Sequence, residues 1–256
     1  EGPFDLTSTS GSVLNLWSKH YSYIAQANLI LERLEANKGV IDENAGHSAL
    51  DKATITGSAT EMLMGEVRFL RAYAYFTLYR YYGGVPLVTE PTGPKPAYVP
   101  RATRQEMFKF LYDEMAYALD KCLDNRSGIA YGRVTKGAVA GMLAKMKIFH
   151  ASYIRRAEMY GDKINETTAG DVDKTTLYAD AVKLCDDIIA GIYGTYELEE
   201  YFPAVFTKRN NEIMFSVLAE EGVGTGNKIP MGFAGEGKYG ATGGRNLTSW
   251  LTLLYD

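Results

Sequence analysis

The stretch from Glu61 to Pro91 constrains the fold more than any other part of this chain. Between Glu61 and Tyr82 the apolar residues form two stripes at helical spacing. Leu63, Val67, Leu70, Ala74, Leu78 and Tyr81 make one, and Phe69, Tyr73 and Phe76 the other. A helix that is apolar on more than one side has to be covered by neighbours on more than one side. Gly83 and Gly84 then end it, because glycine accepts the left-handed conformation at a helix C-terminus, and Pro86 blocks continuation. Pro91, Pro94, Pro96 and Pro100 hold the next segment extended. A central helix sandwiched between other helices is the expectation.

The rest of the chain supplies the neighbours. Leu14, Trp17, Tyr21, Ile24, Leu31 and Leu34 recur at three- and four-residue spacing, which predicts a helix over about Val13 to Leu34. The polar stretch from Glu35 to Ala59 reads as loop with a short turn of helix. Thr103 and Glu106 form a T-x-x-E capping box ahead of a stripe of Phe108, Leu111, Met115, Leu119 and Cys122. Thr135 can cap a helix with Val139, Met142, Leu143, Met146, Phe149 and Tyr153 facing inward, and another helix runs from about Thr176 to Ala190.

Helices in successive pairs predict a mostly all-α fold of tetratricopeptide-like hairpins. Beyond Gly191 the character changes. Glu212 to Leu218 reads as a short strand, and the stretch from Gly222 to Gly244 holds nine glycines, a long loop of the kind that carries function. Residues 1–218 are therefore expected to form a helical domain, with 219–256 a loop region that begins a C-terminal domain.

Composition removes several function classes. The formal net charge of −4 offers no basic excess for a phosphate backbone, so nucleic acid is not an expected partner. No window approaches the ~20 apolar residues that span a bilayer. His20, His47 and His150 have no metal-ligand spacing, so neither a metal nor a cofactor is expected. Cys122 and Cys185 each fall in a helical apolar pattern and read as small buried hydrophobes.

The order of features resembles the SusD/RagB nutrient-binding proteins. Their central helix reads approximately E-x-R-F-L-R-A-x-x-Y-F-x-L, followed by a glycine and V-P-L. Here Glu66, Arg68, Phe69, Leu70, Arg71, Ala72, Tyr75, Phe76 and Leu78 match it, followed by Gly84, Val85, Pro86 and Leu87. Four further blocks keep the family's order: Tyr21 to Ile24 with Asn28, Arg101 to Asp113, Gly132 to Ala138, and Asn211 to Ser216.

The resemblance implies a helical protein, lipid-anchored on the outer face of the outer membrane, that covers a SusC-like TonB-dependent transporter. It implies capture of oligosaccharides, or in some members peptides, with no catalysis. The family's N-terminal lipidated cysteine and long C-terminal region have no counterpart here, so a partial chain is expected, any membrane contact being through an anchor outside it. The rival readings are an intracellular helical-repeat scaffold, which leaves the five ordered blocks unexplained, and a glycosidase, for which no catalytic constellation is evident.

Charges on an otherwise apolar helix persist when paired, so Glu66, Arg68 and Arg71 are expected to form internal ion pairs rather than a ligand site. Tyr73, Tyr75, Tyr79, Tyr81 and Tyr82 follow the helix and read as packing residues. A sugar site needs aromatic planes with amides and charges beside them, on loops held by a scaffold. The glycine-rich region supplies that mixture, and the resemblance implies glycan contacts from loops there. Tyr239, Arg245, Asn246 and Trp250 are the ligand-binding candidates, although Trp250 can equally pack against Leu251 and Leu254.

Overall fold

The computed structural model describes residues 11–44, 58–91, 98–124, 132–164, 170–202, 204–207 and 210–216. They are mostly helical: α1 (Gly11–Ala36), α2 (Lys38–Asn44), α3 (Ala59–Tyr82), α4 (Arg104–Lys121), α5 (Lys136–Ile164), α6 (Lys174–Ile189) and the single turn α7 (Ala204–Thr207). No ladder of strands forms among the described residues; extended pairing is limited to the isolated bridges Pro86–Arg101 and Leu123–Thr135.

The long helices stack in chain order. α3 packs on α1 and on α4, α4 on α5, and α5 on α6. The two-sided covering expected of the central helix is therefore present. Its buried residues include Phe69, Ala72, Tyr75, Phe76, Leu78 and Tyr79, which meet Ile24 of α1, Met107, Phe108, Leu111 and Met115 of α4, and Val139 and Met146 of α5 in one core. Rings contact mostly edge to face, as in Phe76 on Phe149 and Tyr79 on Phe108, the arrangement that ring quadrupoles favour.

The stripes themselves need correction. Leu70, Tyr73 and Tyr81 are 47%, 43% and 68% exposed, and with Arg80 they form the sector of α3 that neither α1 nor α4 covers. Cys122 is buried as expected but Cys185 is exposed. Among the described residues α6 packs chiefly on α5, so its burial narrows to Leu177, Ala181 and Leu184, and Cys185 falls beside that stripe.

The helix ends follow their capping residues. Ser58 accepts from the Glu61 N–H at the start of α3. Thr103 and Glu106 form the reciprocal capping box, and the Thr135 hydroxyl accepts from the Ala138 N–H. Gly83 closes α3 at φ 69° and ψ −142°, a conformation that side chains strongly disfavour.

Gly84 is required for a different reason. A Cβ there would lie 2.3 Å from the carbonyl oxygen of Ala102, in a strap held by the 3.0 Å bond from the Ala102 N–H to the Val85 carbonyl. Backbone has to move to admit it. Gly84→Ala is expected to lose about 1–3 kcal/mol of stability, measured by urea unfolding, as overpacked sites do. No loss would mean that the strap is free to shift.

The strand expected over Glu212 to Leu218 is not formed across its described part. The Asn210 side chain accepts from the N–H groups of Glu212 and Ile213, at 3.1 and 3.2 Å, and turns the backbone where a strand would start. Val217 and Leu218 lie outside the described residues. Phe215 packs edge to face on Phe69, so an apolar run here serves core packing without a sheet.

Candidate functional site

Two buried polar centres lie within the helical stack. The first is built on Arg71 of α3 and Glu114 of α4, whose side chains are only 7% and 5% exposed. The Arg71 Nε donates to Glu114 at 2.7 Å, and its Nη1 donates to the Asn28 amide oxygen at 2.7 Å and the Thr89 carbonyl at 3.2 Å. Arg68 reaches the other oxygen of Glu114 at 3.6 Å, with its guanidinium 4.0 Å above the Tyr117 ring. Glu66 receives a two-pronged bond from Arg133, at 2.7 to 2.9 Å. Burial nevertheless pushes the Glu66 carboxyl above its usual range, against the pull of Arg133. Glu66, Arg68 and Arg71 of the central helix are thus in internal ion pairs, as their setting predicts.

The same centre holds the extended strap after Gly84. The Asn28 amide donates to the carbonyls of Val88 and Glu90, at 2.9 and 3.1 Å. The Tyr75 hydroxyl both donates to the Val88 carbonyl at 2.9 Å and accepts from its N–H at 2.7 Å. Its burial pushes the phenol up to about 12. Tyr21 donates to the Pro86 carbonyl at 2.8 Å. A strap with no sheet partner along most of its length therefore has its backbone groups satisfied by side chains of α1 and α3.

The second centre joins α4, α5 and the approach to α6. Arg104 grips Asp171, both nearly buried, through Nε at 3.1 Å to each carboxylate oxygen and through Nη2. His150 stacks flat on Phe108, ring centroids 3.8 Å apart, and its Nδ1 lies 2.9 Å from the Tyr112 hydroxyl. Its Nε2 is 3.5 Å from Asp171 and makes no hydrogen bond of ordinary length. Burial, outweighing Asp171, lowers the imidazole to about 4.

Glu114, Asp171 and Glu66 are each engaged by arginine, and the thiol of Cys122 is pushed by burial up to about 12, far from a reactive thiolate. No group of three or more His, Cys, Asp or Glu that could hold a metal occurs among the described residues, and no described helix is long and apolar enough to cross a membrane.

Of the aromatic face of α3, Tyr75 and Tyr79 are core residues, Tyr82 is half-buried with its hydroxyl on the Val13 carbonyl, and Tyr73 and Tyr81 face outward. Glu114 was not singled out from the sequence. Its signal was a carboxylate set within the buried stripe of Leu111, Met115 and Ala118. The loop candidates Tyr239, Arg245, Asn246 and Trp250 all lie outside the described residues.

Comparison with known proteins agrees with this framework. The SusD-like family model described as "Starch-binding associating with outer membrane" matches residues 5–148. A SusD-like protein of Bacteroides ovatus is 25% identical over 224 residues, covering 87% of this chain and 35% of that protein. The crystal structure of a SusD-like protein from Bacteroides fragilis matches at a TM-score of 0.58 and 23% identity, over 83% of this chain and 35% of that one. A crystal structure with xylogluco-oligosaccharide matches at a TM-score of 0.60 and 20% identity, over 82% of this chain and 37% of that one. The chain spans about a third of the length of these relatives. The family match takes in α1, α3, α4 and the strap that Asn28, Arg71 and Tyr75 hold, and it extends over more than half of the sequence: the chain belongs to the SusD-like family.

Proposed function

We propose that this chain is part of a cell-surface protein that binds oligosaccharides without cleaving them and delivers them to a SusC-like TonB-dependent transporter. The observation that carries the reading is the family match over residues 5–148, in a family described as starch-binding and associated with the outer membrane. A similar fold solved with xylogluco-oligosaccharide supports the ligand class. The engagement of Glu66, Glu114 and Asp171 by arginine speaks against catalysis within the helical part. In this reading the protein is held on the extracellular face of the outer membrane by a lipid anchor.

The proposed division is a helical scaffold over residues 1–218 and a loop region over 219–256 that opens a C-terminal domain. Tyr239 and Trp250 would stack on pyranose rings while Arg245 and Asn246 bond their hydroxyls. An array of glycans and peptides, probed with the full-length protein, tests the class. Glycan binding with the oligosaccharide recovered at its original length is expected. Peptide binding alone would favour the family's other ligand class, and shortened products would overturn the non-catalytic reading. Against a glycan found this way, Tyr239→Ala and Trp250→Ala together are expected to weaken binding about 100-fold, the loss of two aromatic contacts of ~1–1.5 kcal/mol each. Unchanged affinity would remove both from the site.

A further inference from the structure

The buried imidazole of His150 stands apart from the ligand question and from the ion pairs of α3. Its hydrogen-bond geometry fixes its tautomer. A neutral ring with the proton on Nδ1 would aim the Nε2 lone pair at the Asp171 carboxylate 3.5 Å away, lone pair against anion. With the proton on Nε2, that N–H faces the carboxylate and Nδ1 accepts from the Tyr112 hydroxyl at 2.9 Å. Only this second arrangement avoids setting a lone pair against the carboxylate, with Nε2 still beyond ordinary hydrogen-bond length of Asp171.

A second proton is poorly accommodated while the joint stays closed. It must bind Nδ1, where the Tyr112 hydroxyl has to turn and accept from it, so that the Tyr112 O–H loses its own acceptor. The new cation would also lack a free counter-ion. Asp171 is already gripped by Arg104 from α4, and Asp180 of α6 by Lys147 of α5 at 2.7 Å. The rings that contact the imidazole are neutral, Phe108 and Tyr112, both from α4. The charges at this centre thus sum to balance with His150 neutral, and the ring is only 2% exposed. An uncompensated charge in such a setting is not held.

We propose that His150 makes the α4–α5–α6 joint acid-sensitive: the imidazole takes its second proton far more readily when the joint opens and lets water reach the ring. The direction follows from linkage. An opened chain binds the proton near the ordinary 6.5, whereas the closed one binds it near 4. Above about 6.5 neither form is protonated and the joint has its full stability; between 6.5 and 4 the open form gains the proton and the closed form is progressively disfavoured. From pH 7.5 down to pH 4 the opening equilibrium is expected to rise by about 100-fold or somewhat more, approaching roughly 300-fold, the ratio of the two proton affinities, only at still lower pH.

The test uses the 256-residue chain, unsubstituted and as His150→Phe, which keeps a ring on Phe108. Amide exchange across Lys174 to Leu184 is followed from pH 7.5 to 4, corrected for the intrinsic pH dependence of exchange, and the imidazole signals of the three histidines are titrated by NMR. The unsubstituted chain is expected to lose protection in α6 about 100-fold or more beyond any loss in His150→Phe, and one imidazole is expected not to titrate near 6.5. The NMR reading needs only the unsubstituted chain, so it decides the matter even if His150→Phe fails to fold. An imidazole of His150 that titrates near 6.5 in the folded chain would overturn the proposal, and so would equal loss of protection in both chains.

Discussion

Glu114→Ala is expected to destabilise the chain by about 3–5 kcal/mol, the cost of removing one partner from a buried ion pair. Arg71 is the reason. Its side chain is 7% exposed and donates to Glu114 from Nε, so the substitution leaves a guanidinium charge in the core. Its remaining partners are the oxygens of Asn28 and Thr89, which are dipoles and carry no compensating charge. Arg68 is less affected, because its side chain is 29% exposed and can turn towards water. Against a typical total of 5–15 kcal/mol, the loss is a large fraction, and urea unfolding reads it directly.

The paired substitution Arg71→Met with Glu114→Leu separates two meanings of that number. If the salt bridge itself stabilised the fold, the double variant would stay several kcal/mol below the original. Desolvation of both charges makes the opposite outcome the expected one, with most of the loss regained. What the double variant should not regain is the strap. Arg71 also bonds the Thr89 carbonyl, so amide exchange over Val85 to Thr89 is expected to quicken in the double variant, which lacks that guanidinium. A double variant as unstable as Glu114→Ala would show that the pair contributes net stability, contrary to this expectation.

Much of the helical framework was legible because helical periodicity is a local property. Gly83 and Pro86 fixed the end of α3, and Thr103 with Glu106 fixed the start of α4, through bonds to residues a turn away. What periodicity lacks is the identity of the covering neighbour. Leu70 and Tyr81 belong to a stripe as good as that of Phe69 and Phe76, and Tyr73 to the latter itself, yet no described helix lies over them. That α3 carries paired charges was predictable from the cost of burying them. That Glu114 and Arg133 are the partners was not, since they lie 43 and 67 residues away and meet α3 only through the stacking of helices. The described part of the segment after Asn210 forms no strand because β pattern specifies a face, while a strand needs a partner strand beside it. Tyr239, Arg245, Asn246 and Trp250 rest on chemistry alone: aromatic and hydrogen-bonding residues in a glycine-rich frame, with no periodic element to set their mutual positions.

Phe108→Ala is the second large effect, and it joins the packing of the core to the chemistry of His150. Phe108 is 1% exposed, meets Tyr79 edge to face, and forms the floor on which the imidazole lies. Truncating it removes a ring from between α3, α4 and α5, with an expected cost of about 3–5 kcal/mol in urea unfolding. Leu70→Ala on the same core's uncovered helix face is expected to stay within about 0.5 kcal/mol, although sequence pattern alone ranks the two positions alike. The imidazole provides an independent reading. Burial is the dominant cause that holds it near 4, and a cavity open to water relieves that cause, so His150 should titrate closer to 6.5 in Phe108→Ala. Its contribution to acid sensitivity should shrink in proportion. A variant that lost stability while His150 stayed near 4 would mean that the core had closed over the gap, and that the ring is kept dry by Tyr112 and Asp171 rather than by Phe108.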